Sequence, residues 1–96
     1  MATYLIHYSP QAVNDLRSFR AFDRAQVIAA IELHLTHEPR LQSRSRIKQV
    51  TQPFWSHFRL RCGDFRVYYD VEDATERVNV LRIVEKGTAQ TPEQSS

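Results

Sequence analysis

The sequence has a single cysteine, Cys62. That excludes a disulfide within the chain and any zinc site built from cysteines, and leaves Cys62 as a small hydrophobe on a core face. No apolar run approaches the ~18 residues that a membrane span needs. The opening MATYLIHYSP lacks the charged lead and long apolar stretch of a signal peptide, so the expectation is a cytoplasmic protein without a membrane partner. Acids are scarce where bases are dense. From Arg40 to Arg66 the only acid is Asp64, against eight basic residues: Arg40, Arg44, Arg46, Lys48, His57, Arg59, Arg61 and Arg66. The formal charge of +2 hides this asymmetry, which has the form of an electrostatic footprint for a phosphate backbone. No internal repeat is present. A length of 96 residues allows one domain with one core. Its extent is expected to be 1–87, followed by a disordered polar tail, TAQTPEQSS, over 88–96.

The most informative stretch is Ser56 to Val71, SHFRLRCGDFRVYYDV. Two alternating runs flank Gly63-Asp64, a strong hairpin signal. With those two residues as the loop, Cys62 faces Phe65, Arg61 faces Arg66, Leu60 faces Val67, Arg59 faces Tyr68, Phe58 faces Tyr69 and His57 faces Asp70. Strand side chains alternate, so one face collects Phe58, Leu60, Cys62, Phe65, Val67, Tyr69 and Val71. The other collects His57, Arg59, Arg61, Arg66, Tyr68 and Asp70. Arg61 opposite Arg66 is locally unfavourable, which points to an anion held between them.

Upstream, TYLIHY (Thr3 to Tyr8) alternates and reads as a first strand. Ser9 and Pro10 start a helix that carries Ala12, Val13, Leu16 and Phe19 on one side and ends near Arg20 or Ala21. Asp23 with Gln26 has the form of a capping box for a second helix, where Val27, Ile28, Ile31 and Leu35 recur up to about Glu38, before Pro39. Within it, His34 and His37 lie close enough to share a metal, but no third ligand is evident nearby, and neither a metal nor a cofactor is expected. Arg40 to Ser45 reads as a loop and Ile47 to Thr51 as a short strand. Phe54-Trp55 fits packing better than a base-stacking platform. After a turn at Glu72 to Thr75, the β-branched run Arg77 to Val84 belongs inside the sheet. The order β-α-α-β-β-β-β gives an α+β fold, with a helical hairpin packed on one face of a twisted, mainly antiparallel sheet and arginines on the other face.

These segments, with Glu38-Pro39 ending the second helix, LRCGDFRVYYDV in the hairpin and VNVLRIVEK in the last strand, resemble the RelE/ParE superfamily of bacterial type II toxin–antitoxin toxins. The resemblance spans Tyr4 to Lys86. It implies either a RelE-like endonuclease that cuts mRNA on the ribosome without a metal, or a ParE-like inhibitor of DNA gyrase without catalysis. A degenerate member that only binds its antitoxin is a third possibility. A cognate antitoxin partner is implied in each case, covering an exposed apolar groove along the helical hairpin or at the sheet edge. By position, Arg66 matches the family's phosphate-contacting arginine, and His57 and Arg59 match two basic positions on the preceding strand. Lys86, or else Arg82, falls near the basic residue that ends the last strand. RelE-like nucleases usually carry a Tyr or His shortly beyond that point, and none follows Lys86 here; the family's C-terminal helix also has no counterpart.

Metal-free RNA cleavage needs a base for the ribose 2′-OH, charge stabilisation at phosphorus and an acid for the 5′ oxygen. The candidate catalytic set is His57, Arg59, Arg66, Tyr68 and Lys86. His57 is the acid–base candidate oriented by Asp70, and Tyr68 can donate a proton or stack. Arg40, Arg44, Arg46, Lys48, Arg61 and Arg82 form the expected nucleic-acid-binding rim. The plainer alternatives stay open: a cross-strand polar pair for His57 and Asp70, an antitoxin carboxylate as the partner of Arg66, and a solvated ring over Arg59 for Tyr68.

Overall fold

The computed structural model describes residues 3–41, 46–51 and 56–86. The elements are β1 (Leu5–Tyr8), α1 (Pro10–Ser18), α2 (Ala21–Leu35), β2 (Ile47–Gln49), β3 (Phe58–Cys62), β4 (Phe65–Glu72) and β5 (Arg77–Glu85). The five strands form one sheet in the order β1-β5-β4-β3-β2, in which only β1 and β5 run parallel. This is the expected α+β order, with the last strand inside the sheet. The tail from residue 88, Phe54-Trp55 and Arg44 lie outside the described residues.

The hairpin has the register read from the sequence, Phe58 to Cys62 against Tyr69 to Phe65. Gly63 has φ +56, as a type II′ turn requires of its first central residue. Phe58, Leu60, Phe65, Val67 and Tyr69 enter the core. There they meet Ala12 and Leu16 of α1, and Val27, Ile31 and Leu35 of α2. Phe58 and Tyr69 stack at 5.6 Å, while the Tyr69 hydroxyl donates to the Pro39 carbonyl at 2.5 Å. Burial at that hydroxyl pushes its pKa well above the ordinary tyrosine value.

The helical hairpin starts as expected, with the Ser9 hydroxyl accepting from Ala12 N–H and Pro10 in the first turn. The expected start of α2 at Asp23 is corrected: the helix begins at Ala21, behind Arg20, which has no side-chain cap bond. The reason is Arg24, whose guanidinium donates to the Leu16 and Phe19 carbonyls at 2.9 Å each. Those bonds close the C-terminus of α1 and require the first turn of α2 to lie directly against it, so Phe19 and Arg20 alone form the link. At its other end α2 stops at Leu35 rather than Glu38. The Thr36 carbonyl is taken by the Tyr4 N–H at 2.7 Å, and Pro39 disfavours a helical Glu38.

One irregularity was not foreseen. Tyr68 pairs with Arg82 but Tyr69 pairs with Val80, so Leu81 is an extra residue in β5. Beyond Val80, β5 loses its β1 neighbour and α1 takes its place. Ser9 Oγ donates to Leu81 O, and Asp15 accepts from Ile83 N–H at 2.8 Å.

Candidate functional site

Register alone builds the face opposite the helices. Lys48, Arg59, Tyr68 and Arg82 form one row across β2, β3, β4 and β5. Arg61 and Arg66 pair in the next row, beside Val84. Arg46 enters at its edge, its carbonyl accepting from Arg61 N–H at 2.7 Å. Lys86 donates its backbone N–H to Asp64 O at 2.5 Å, which fixes it beside the hairpin turn, one same-face step beyond Val84. His57 and Asp70 close the other end. The imidazole Nδ1 lies 2.9 Å from Asp70 Oδ1, which also accepts the His57 backbone N–H at 2.6 Å. With its side chain 71% exposed, His57 turns its Nε2 edge to solvent. Buried Ser56 supports this end, its hydroxyl within bonding distance of the Phe58 and Tyr69 carbonyls.

The candidates therefore divide. His57, Arg59, Arg61, Arg66, Lys48, Lys86 and Arg46 share or border one face. Among the described residues, no acidic side chain pairs with Lys48, Arg59, Arg61 or Arg66. Packed rows of like charge without counterions favour a bound polyanion. Two expected rim residues are placed differently. Arg40 bonds Asp73 at 2.7 Å, where the Tyr4 hydroxyl also donates, and their contacts hold the Asp73 carboxyl below its usual range. Arg82 makes a two-pronged contact with Asp15 at 2.8 and 3.1 Å. Both arginines hold the fold together through acids distant in the chain. Tyr68 is also corrected as a solvated ring: it is 3% exposed, though outside the main core cluster.

His34 and His37 face a different feature. A groove of about 330 Å³ runs between the end of α2 and the β2 edge, lined by Leu33, His34, His37, Glu38, Leu41, Arg46 and Ile47. Burial and then the Arg46 charge lower the His34 pKa. Among the described residues no group of three metal-ligating side chains exists there or elsewhere. Cys62 is half-buried against the core, and burial raises its thiol pKa. No described helix is long and apolar enough to cross a membrane.

A helical hairpin on one side of such a sheet, with a cationic face on the other, defines a small α+β fold. The chain matches the model of the ParE toxin of type II toxin–antitoxin systems over residues 6–88, and belongs to that family within the RelE/ParE superfamily. Solved structures with the same fold include the RelBE2 toxin–antitoxin complex of Mycobacterium tuberculosis, 23% identical, with 90% of this chain and 94% of that chain covered and a TM-score of 0.76. The archaeal RelE–RelB complex of Pyrococcus horikoshii is 22% identical, covers 91% and 99%, and scores 0.63. The isolated E. coli RelE toxin is 16% identical, covers 96% and 94%, and scores 0.61. No curated protein matches the chain significantly in sequence. This protein is thus a toxin of a type II toxin–antitoxin system.

Proposed function

We propose that this toxin is a metal-independent, ribosome-associated mRNA endonuclease, neutralised by a cognate antitoxin. The observation that supports this reading is the exposed His57, held through Nδ1 by Asp70, at the end of a face on which, among the described residues, Arg59, Arg61 and Arg66 have no acidic partner. Arg59 is one same-face step, about 7 Å, along β3 from His57, so an RNA phosphate fits between them. In this reading His57 Nε2 takes the proton of the ribose 2′-OH, and the 2′ oxygen attacks phosphorus. Arg59, Arg61 and Arg66 stabilise the charge that grows on the non-bridging oxygens. The P–O5′ bond breaks, leaving a 2′,3′-cyclic phosphate, and the 5′ oxygen takes a proton from the water that the open face admits. Lys86 and Lys48 anchor flanking phosphates.

A second reading, gyrase inhibition without catalysis, is favoured by the burial of Tyr68 and the absence of Tyr and His from residues 87–96. Each leaves the face with fewer proton donors. Induced expression in a bacterial host, with growth followed and transcript 5′ ends mapped, separates the two. The nuclease reading expects growth arrest with codon-phased new ends that disappear in His57→Ala and Arg66→Ala. Arrest without new ends assigns the activity to gyrase, and no arrest assigns antitoxin binding alone.

A further inference from the structure

The outward side chains of the sheet sort by strand as well as by row. On β3 they are His57, Arg59 and Arg61, with Lys48 beside them on β2, and among the described residues no acidic side chain pairs with Lys48, Arg59 or Arg61. On β5 the outward cations meet acids. Arg77 stands opposite Glu72 in the register, and Arg82 makes its two-pronged contact with Asp15, while Asn79 and Val84 are uncharged. Tying α1 to β5 does not require the Asp15 charge. The Ser9 hydroxyl on Leu81 O already joins the two, and a neutral amide oxygen would accept from the Ile83 N–H as the carboxylate does. What the carboxylate adds is neutralisation of an arginine that stands in one row with Lys48, Arg59 and Tyr68.

We propose that Asp15 sets the width of the polyanion track: by neutralising Arg82 it closes the face on its β5 side, so that the track takes one strand of nucleic acid lengthwise along β3 and refuses a duplex. This rests on the reading of the face as a nucleic-acid site and adds its boundary. Same-face residues on β3 follow at about 7 Å, and the face from β2 to β4 is roughly 10 Å across. His57 stands at one end of the line and Lys86, beside the hairpin turn, extends it at the other. Such a strip is longer than it is wide, and follows a single backbone. A duplex presents a second backbone across a groove, about 12 Å wide in the B-form major groove, and Arg82 is the cation that leads toward it. The aromatic side chain of this row, Tyr68, is 3% exposed, so no base stacks on it. Contact is therefore through phosphates, and the track distinguishes strand form rather than sequence.

Fluorescence anisotropy of the purified full chain, titrated over a salt series against labelled oligothymidylate and against a DNA duplex of equal length, tests the proposal. The wild type is expected to bind the single strand more tightly. Asp15→Asn keeps an acceptor for the Ile83 N–H and restores the Arg82 charge to the face. It should tighten duplex binding several-fold and steepen the logarithmic salt slope for the duplex by about 0.9, the increment of one phosphate contact, with single-strand binding unchanged. Adding Arg82→Gln should return the duplex to its wild-type affinity, an outcome that a purely structural Asp15 does not produce. Circular dichroism checks the fold of each variant, and the wild-type comparison of the two probes needs no substitution. Equal wild-type affinity for both probes, binding of neither, or a folded Asp15→Asn chain with an unaltered duplex slope overturns the proposal. Oligothymidylate lacks the 2′-OH, so binding is measured apart from cleavage. A chain that binds in the expected order yet leaves transcripts intact on expression keeps the track and loses only the nuclease reading.

Discussion

The two faces of the β3–β4 hairpin come from the same residues read alternately, and their physics is opposite. On one face Leu60, Val67 and Tyr69 are completely buried, and the Tyr69 hydroxyl is satisfied by the Pro39 carbonyl. On the other, Arg61 stands opposite Arg66 and Arg59 lies beside Lys48, and among the described residues no acid neutralises them. The first face stabilises the sheet. The second costs stability and keeps charge available to a partner. Period-two alternation therefore lets a hairpin of this size carry fold and site with little overlap, so substitutions on each face should separate cleanly.

The largest expected effect is on the closed face. Leu60→Ala should cost about 3 kcal/mol of unfolding free energy, measured by urea denaturation, because the core around it can collapse only partly. Next is the acid that holds a cation for structure rather than for a ligand. Asp15→Ala removes the partner of both Arg82 and the Ile83 N–H, and should cost about 2 kcal/mol in the same assay. An equal loss on Arg59→Ala would break the distinction between structural and available arginines. A smaller effect comes from acid. His34 has a folded pKa below its ordinary value of 6.5, so the unfolded chain binds more protons, and stability present above that value is lost as pH falls below it. Asp73, also depressed, adds a second loss at lower pH. Thermal midpoints should therefore fall in two stages on acidification, and His34→Gln should flatten the first. Smallest is Arg61→Gln, expected to raise stability by a few tenths of a kcal/mol through relief of its repulsion with Arg66. A loss of stability there would show that the open face also supports the fold.

Local pattern decided what was legible in the sequence. Gly63-Asp64 and the alternation around it gave the hairpin register residue for residue, and Ser9-Pro10 gave the start of α1. Features that depend on distant partners were not legible. Nothing near Arg40 or Arg82 signals that Asp73 and Asp15 will claim them, since those acids are brought in by the β4–β5 turn and by α1. The extra Leu81 is likewise invisible, because a bulge is defined against the neighbouring strand. Asp23-Gln26 resembled a cap, yet the reach of Arg24 to the end of α1 set the start of α2 earlier.

The parallel pairing of β1 with β5 also orders events in time. Ser9 and Leu81, bonded to each other, are 72 residues apart in the chain. The last described strand to be synthesised is the one that lies between β1 and β4. A nascent chain can form β3 and β4 as a local hairpin early, but β1 has no neighbour until β5 leaves the ribosome. Closing so long a loop is slow relative to hairpin formation. The sheet is therefore joined in one late step, and until then its two halves remain separate.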